Sequence, residues 1–452
     1  MRRSARECPH GHTTNGSPGP PSSCLPPVTE ALPCYVSITT AAEAKIDTRH
    51  PGAQASIVVF NPLAWTRSGP VEVPLPDYVS PGNLAAEDDK GGLTPVQMVT
   101  GARLLFIARD VPPVGYRTFW FVTKDAPSDL KVSPDGADLL SAGTPNGELR
   151  ATVAGKSLSS STSGATSKPV ESGPVRAVVE TRGSLDDHAH FVNRTVLYAG
   201  LPQVSFETDL DVTEHLDGLM TGALRRVFTP AFRARYFHDQ PFGVSETAMA
   251  NEFLKYFPFV EGRREDHVRN HVAGLNFLDC QGDRAGLLYA HDGNQGFLRV
   301  GAEIANILSC YDPWDGDYYP TRQEFREALI PHGAWTNADR LRASIAFNTP
   351  LIGVISTCQA GTLPNARSWL SVSPSGSIVS GFYRDGDDLI VRLYDVDGAR
   401  TQTHLTTPWP IASARLEDLR GKPLRTLRVE KNGVDLALAP YQIATVRLRP
   451  TR

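Results

Sequence analysis

From Ser56 onward the apolar residues fall in short alternating runs separated by Gly, Pro, Asn and Asp. Examples are GYRTFWFV (115–122), GELRATV (147–153), PVRAVVETRG (174–183), HFVNRTVLYAG (190–200) and QVSFETDLDV (203–212). DDLIVRLYDVDG (387–398), PLRTLRVEKNG (423–433) and YQIATVRLRP (441–450) continue the pattern. A period of two is the mark of a strand with one face buried. No fixed-period repeat and no βαβ alternation accompanies it. The pattern predicts a mainly β chain of stacked antiparallel β-sandwiches: a small N-terminal β domain, a large central sandwich and a small C-terminal sandwich.

The stretch IVVFNPLAWTRSGPVEVPLP (57–76) shows how the runs are punctuated. Pro62 pushes Asn61 out of the α region, so the strand Ile57-Val58-Val59-Phe60 should end there without starting a helix. Ser68-Gly69-Pro70 has turn chemistry and Val71 to Leu75 alternates again, which predicts a β-hairpin. The expected division is 1–54 low-complexity and disordered with a remnant helix, 55–127 a small β domain, 145–360 the large sandwich and 370–452 the C-terminal sandwich. Residues 36–47 could form the last turn or two of that helix. The Ser/Gly/Pro-rich start is disordered by composition, 128–143 reads as a linker, and 156–173 as a low-complexity loop.

Composition narrows the function classes. The chain has 452 residues, 40% hydrophobic and 21% charged, with net charge −4. It lacks the clustered basic surface that nucleic acid requires. No window holds the run of about 18 apolar residues of a membrane helix. Met1-Arg2-Arg3 is basic but is followed by no apolar signal core, which favours a cytoplasmic location. The six cysteines form no CxxC pair, and the sequon Asn193-Arg194-Thr195 lacks a secretory context.

Candidate chemistry is sparse. No phosphate-binding glycine motif and no GxSxG elbow is present. His267 and His271 have the i, i+4 spacing of a helical zinc pair, but Val268 stands where HExxH needs Glu. His188 and His190 share a strand-face spacing at a turn. Both pairs read as ordinary surface residues, so no metal ligand is assigned. Glu207, Asp209, Asp211, Glu214 and Asp217 form one acidic stretch. Asp312, Asp315 and Asp317 alternate with Trp314, Tyr318 and Tyr319 in another. Acids beside aromatic rings suit a sugar, whose apolar face stacks while its hydroxyls meet carboxylates.

Several of these runs, in order, resemble the C-terminal β region of glycoside hydrolase family 38, the α-mannosidases. VVFNPLAWTRSGPVEVPL (58–75) is similar to its opening segment, and VPPVGYRTFWF (111–121), NGELRATV (146–153), ESGPVRAVVE (171–180) and TVLYAGLPQVSFETDLD (195–211) to its next strands. FREALIPHGAW (325–335), AFNTPLIGV (346–354), LIVRLYDVDG (389–398) and YQIATVRL (441–448) follow. The resemblance covers about 55 to 450 of the chain. It implies mannose-containing glycans as the substrate class. It also implies a catalytic zinc and an Asp nucleophile in a separate N-terminal domain, with no counterpart in residues 1–55. On that reading no catalytic residue and no cofactor resides in this chain, and a separately encoded catalytic domain is a possible partner. In that family, loops of the large sandwich lean over the cleft. Here they would offer Asp292, Asn294 and Gln295 from HDGNQGF (291–297), and Trp314, Tyr318 and Arg322 from DPWDGDYYPTR (312–322). The edge facing an absent domain should be an exposed apolar patch. The competing reading is a carbohydrate-binding or scaffold β-sandwich protein with no hydrolase partner.

Overall fold

The computed structural model describes residues 43–130, 147–153, 156–187, 189–212, 224–247, 271–300, 302–309 and 322–451. Among them the chain is mainly β, arranged as sheets of eight, nine, six, four and five strands with antiparallel pairing throughout.

In the eight-stranded sheet, Ala53–Asn61 lies between Gly115–Thr123 and Ile352–Ser356. Ala55, Ile57 and Val59 face Phe106, Phe119 and Phe121, while Val58 faces Ile46 and Tyr116 on the other side. A strand buried on both faces needs a continuous apolar run, which is why residues 57–60 do not alternate. The strand stops at Asn61 through its side chain. Asn61 Nδ2 donates to the carbonyls of Trp65 (2.8 Å), Val111 (3.2 Å) and Pro112 (3.0 Å), and Oδ1 accepts from Leu63 N and Arg67 Nε (both 3.0 Å).

The predicted hairpin does not form. Arg67–Pro74 pairs with Arg103–Val111 instead of with Ala53–Asn61. Ser68-Gly69-Pro70 lies inside that strand, beside a bulge between Arg67 and Gly69. The strand is at the sheet edge, where Pro70 removes no needed ladder bond. Order also begins earlier than expected. Ile46 and Thr48 are buried, and the Thr48 carbonyl accepts from Trp120 Nε1 (2.8 Å).

The large sandwich faces nine strands against six. Phe206, Tyr289 and Leu329 of one sheet meet Phe228, Phe297 and Ile304 of the other. The supposed loop 156–173 contributes a strand to each sheet, Lys156–Ser159 and Thr166–Ser172. Both are edge strands. The second is mostly exposed and so carries no apolar alternation to read. The range 145–360 also gives up its end, because Ile352–Ser356 joins the first sheet. Ala366–Ser368 joins it too, pressed so close to Gly115 that a Cβ there would stand 2.1 Å from the Arg367 carbonyl.

One helix, Asn337–Asn348, interrupts the β pattern where only strands and connections were expected. Its signature is a capping box: Thr336 accepts from Asp339 N (3.2 Å), and the Asp339 carboxylate accepts from Thr336 N (3.0 Å). The C-terminal sandwich packs five strands on four around Leu393, Leu405, Leu436 and Val446.

Candidate functional site

The strand Arg322–His332 carries most of the candidate site. Its outward residues Arg322, Glu324 and Arg326 lie opposite Asp211, Asp209 and Glu207 of Val204–Val212. The next strand, Ala189–Tyr198, places His190, Val192 and Arg194 on the same face. Charges of alternating sign run across the strands. Lys168 meets Glu180 (3.9 Å), Glu180 meets Arg194 (3.3 Å), Arg194 meets Asp209 (3.2 Å), and Asp209 meets Arg322 (3.5 Å). Arg182, His190, Arg194, Asp209, Asp211 and Arg322 line a shallow depression of about 360 Å³. Arg182 and Arg194 were not singled out from sequence as site residues, and His190 was weighed there only as half of a metal pair. Their signal was the polar member of each alternating pair, which reads equally well as any solvated face. Among the described residues this face of the sheet is charged.

A hydrogen bond from Arg182 holds Glu180 below the usual carboxylate range. A general acid for glycoside cleavage needs the reverse shift.

The loop 291–297 lies further along the same strand. Asp292 accepts from the backbone amide (3.2 Å) and Nε (2.9 Å) of Arg326. Asn294 donates to Asn306 Oδ1 (2.6 Å), and Asn306 returns bonds to the carbonyls of Asn294 (2.6 Å) and Gly296 (3.1 Å). Gly293 adopts φ 153°, a conformation that side-chain-bearing residues rarely take. The Gln295 carbonyl accepts from Gly274 N (3.0 Å), while the residue itself is exposed. The loop is thus held rigid by its own polar groups, leaving Gln295 outward. Arg322 stands four residues from Arg326, roughly 13 Å along the strand, so it shares the face with Asp292 but not its immediate surroundings. Trp314 and Tyr318 lie outside the described residues, as do Asp312, Asp315 and Asp317.

Beneath the loop, His291 is buried, and burial lowers its pKa to about 4. The Asn348 side chain donates to the His291 carbonyl (2.9 Å), tying the loop's foot to the end of the helix. Two buried networks fix the strand. Arg226 donates to Glu327 (2.6 Å), Thr208 (2.6 Å), Asn193 (2.9 Å) and the Gly147 carbonyl (2.5 Å), and Tyr289 donates to Glu327. At the other end Asp279 receives Arg340 Nε (2.5 Å) and His332 Nε2 (2.8 Å), with His332 stacked on Trp335 (3.9 Å).

Of the histidines considered for metal, His267 and His188 lie outside the described residues. His190 bonds Ser184 (2.7 Å). Among the described residues no group of three or more His, Cys, Asp or Glu is placed to hold a metal ion. No described helix is long and apolar enough to cross a membrane.

Residues 383–446, within the C-terminal sandwich, match the Glycosyl hydrolases family 38 C-terminal beta sandwich domain. The particular relatives are α-mannosidases. Alpha-mannosidase 2C1 of Homo sapiens is 26% identical over 194 residues, 40% of this chain and 18% of that protein. Its Mus musculus counterpart is 28% identical over 137 residues, 28% of this chain and 13% of that protein. The fold is shared with an alpha-mannosidase from Enterococcus faecalis V583 at TM-score 0.66 and 14% identity, covering 91% of this chain and 58% of that one. A glycosyl hydrolase family 38 protein from Enterococcus faecalis gives TM-score 0.62 at 14% identity, covering 91% and 60%. The chain therefore spans less than two thirds of each of these proteins.

Proposed function

We propose that this chain serves as the C-terminal β region of an α-mannosidase-type glycoside hydrolase acting on mannose-containing glycans. On this reading the zinc and the nucleophile come from a domain other than these sandwiches. The family 38 domain match at residues 383–446 is the observation that carries the reading. The described residues do not fit the zinc, since no suitable ligand group is among them, and no catalytic step is assigned to them.

The role left to these residues is to bind and orient. Among the described residues the Arg322 guanidinium is held by longer ion pairs, to Asp209 (3.5 Å) and Glu324 (3.9 Å), and Gln295 offers an amide on a braced loop. Such groups make bonds to sugar hydroxyls at low ordering cost.

Two measurements test this. The purified chain, with zinc added, should release no nitrophenol from an aryl α-mannoside above a buffer blank; release would overturn the division of labour. Titrating mannose should shift the backbone amides of 291–297 and Arg322 with affinity of about 1 mM or weaker, roughly 4 kcal/mol. Unmoved amides at high sugar would remove sugar contact from this face.

A further inference from the structure

We infer that the C-terminal sandwich carries a second binding site, at its open end, for the ring of a neutral pyranose sugar. A pocket of about 610 Å³ opens there, within the size range of small-molecule sites. Trp409, Leu389 and Pro450 form its apolar wall, and Arg384, Asp387 and Arg449 its polar rim.

The wall is built in advance. Pro408 and Pro410 flank Trp409, which restricts the backbone on both sides of the ring. The Thr407 hydroxyl donates to the Trp409 carbonyl (2.9 Å), and Asn432 Nδ2 donates to the Thr407 carbonyl (2.7 Å). The amide of Thr451 donates to the Pro410 carbonyl (2.9 Å), closing the last strand against the tryptophan loop. Trp369 stacks on Trp409 at 5.3 Å and 12°, so the ring is backed by a second indole. It remains only partly buried, and what is left uncovered lines the pocket. An indole held this way loses little freedom when a ligand stacks on it.

The rim decides the ligand class. Arg449 is forked on Asp388 at 2.6 and 3.1 Å. Arg384 donates to the Gly386 carbonyl (2.7 Å) and lies 3.7 Å from Asp387, across the tip of the hairpin. Counted with the ion pairs behind the rim, Arg384, Arg415, Arg447 and Arg449 are balanced by Asp385, Asp387, Asp388 and Glu417, so the site has no net charge to draw an ion. It presents N–H donors and carboxylate acceptors around an aromatic wall. A neutral ring with an apolar face and a fringe of hydroxyls satisfies that combination. The pocket lies in a different sandwich from loop 291–297, and its ligand class is read from its own residues.

The test uses the full chain with methyl α-D-mannopyranoside and methyl α-D-glucopyranoside, followed by saturation-transfer NMR and tryptophan fluorescence. At least one of the two sugars should bind saturably with Kd of about 1–10 mM. Trp409→Ala should weaken binding about ten-fold, and Arg384→Ala roughly three-fold or more. Met98→Ala, at an exposed position of the first sheet, should leave this binding unchanged. If Trp409→Ala fails to fold by circular dichroism, Arg384→Ala decides alone, since that side chain is exposed. Absence of saturable binding of both sugars would overturn the proposal, and so would binding unaffected by the pocket variants. Tighter binding of the methyl glycoside of glucuronic acid would overturn the neutral ligand class.

Discussion

The outer face of the nine-stranded sheet has two halves with opposite fates. One half, from Arg235–Gln240 to Gly286–His291, is covered by the helix Asn337–Asn348 and by Ile378, Tyr394 and Val396 of the C-terminal sandwich. The other, from Arg176–Leu185 to the start of Arg322–His332, is left uncovered by the described residues and carries the charge ladder. Arginine–carboxylate pairs occur in both, yet they do different things. Under the helix, Asp279 is fully buried, and losing it would strand Arg340 without a counter-charge and leave His332 without its hydrogen-bond partner. In the other half Arg182, Arg194 and Arg322 keep contact with water, so each of these pairs contributes little stability.

The sharpest way to break this comparison is Asp279→Ala, expected to cost about 3–5 kcal/mol. A urea midpoint shift worth less than about 1 kcal/mol would show that the covered half is held by apolar packing alone. Next in size is a pH effect at the loop's foot. His291 titrates near 4 in the folded chain because it is buried, against about 6.5 when unfolded. Between those values the unfolded chain binds the extra proton, so stability is full above pH 6.5 and falls as pH drops towards 4. The loss reaches about 3 kcal/mol, and His291→Gln should flatten that part of the stability–pH curve. An unchanged curve would show that the imidazole is not the group responsible. Thr336→Ala removes the helix cap and should cost about 1 kcal/mol in the same unfolding assay. Smallest of all, Arg322→Ala should change stability by no more than about 0.5 kcal/mol while abolishing its own share of any mannose-induced shifts. A larger stability loss would make the open ladder structural and the comparison false.

The residues that carry the family resemblance turn out to build joints. Asn61 links its own strand to Val111 and Pro112. Tyr116 donates to the Pro364 carbonyl (2.8 Å), beside the strand that Gly115 admits. Arg176 bridges Glu72 (2.8 Å) of the first sheet and Glu171 (2.9 Å) of the large sandwich. These motifs identified the architecture because the joints between sandwiches demand particular side chains. They did not mark a ligand site.

Alternation of apolar and polar residues was sufficient by itself to give the β class, the stacked sandwiches and most of the strands, because a strand's period is a local property of the backbone. Which strands pair is not local. Arg67–Pro74 and Ala53–Asn61 are neighbours in sequence but are separated in the sheet, since each finds better apolar partners elsewhere. The edge strands within 156–173 had no pattern to read, because exposed hydroxyl-rich residues look alike in loops and edges. The capping box at Thr336–Asp339 was present in the sequence but outweighed by the β signal around it. The candidate site divides the same way. Asp292, Asn294, Gln295 and Arg322 could be named from a run of letters. Only the tertiary structure decided that Asp292 answers Arg326 and that Arg322 completes a ladder from four other strands. Only it brought Trp409, Arg384 and Arg449 to one pocket, because they are distant in sequence and the five-stranded sheet sets their spacing.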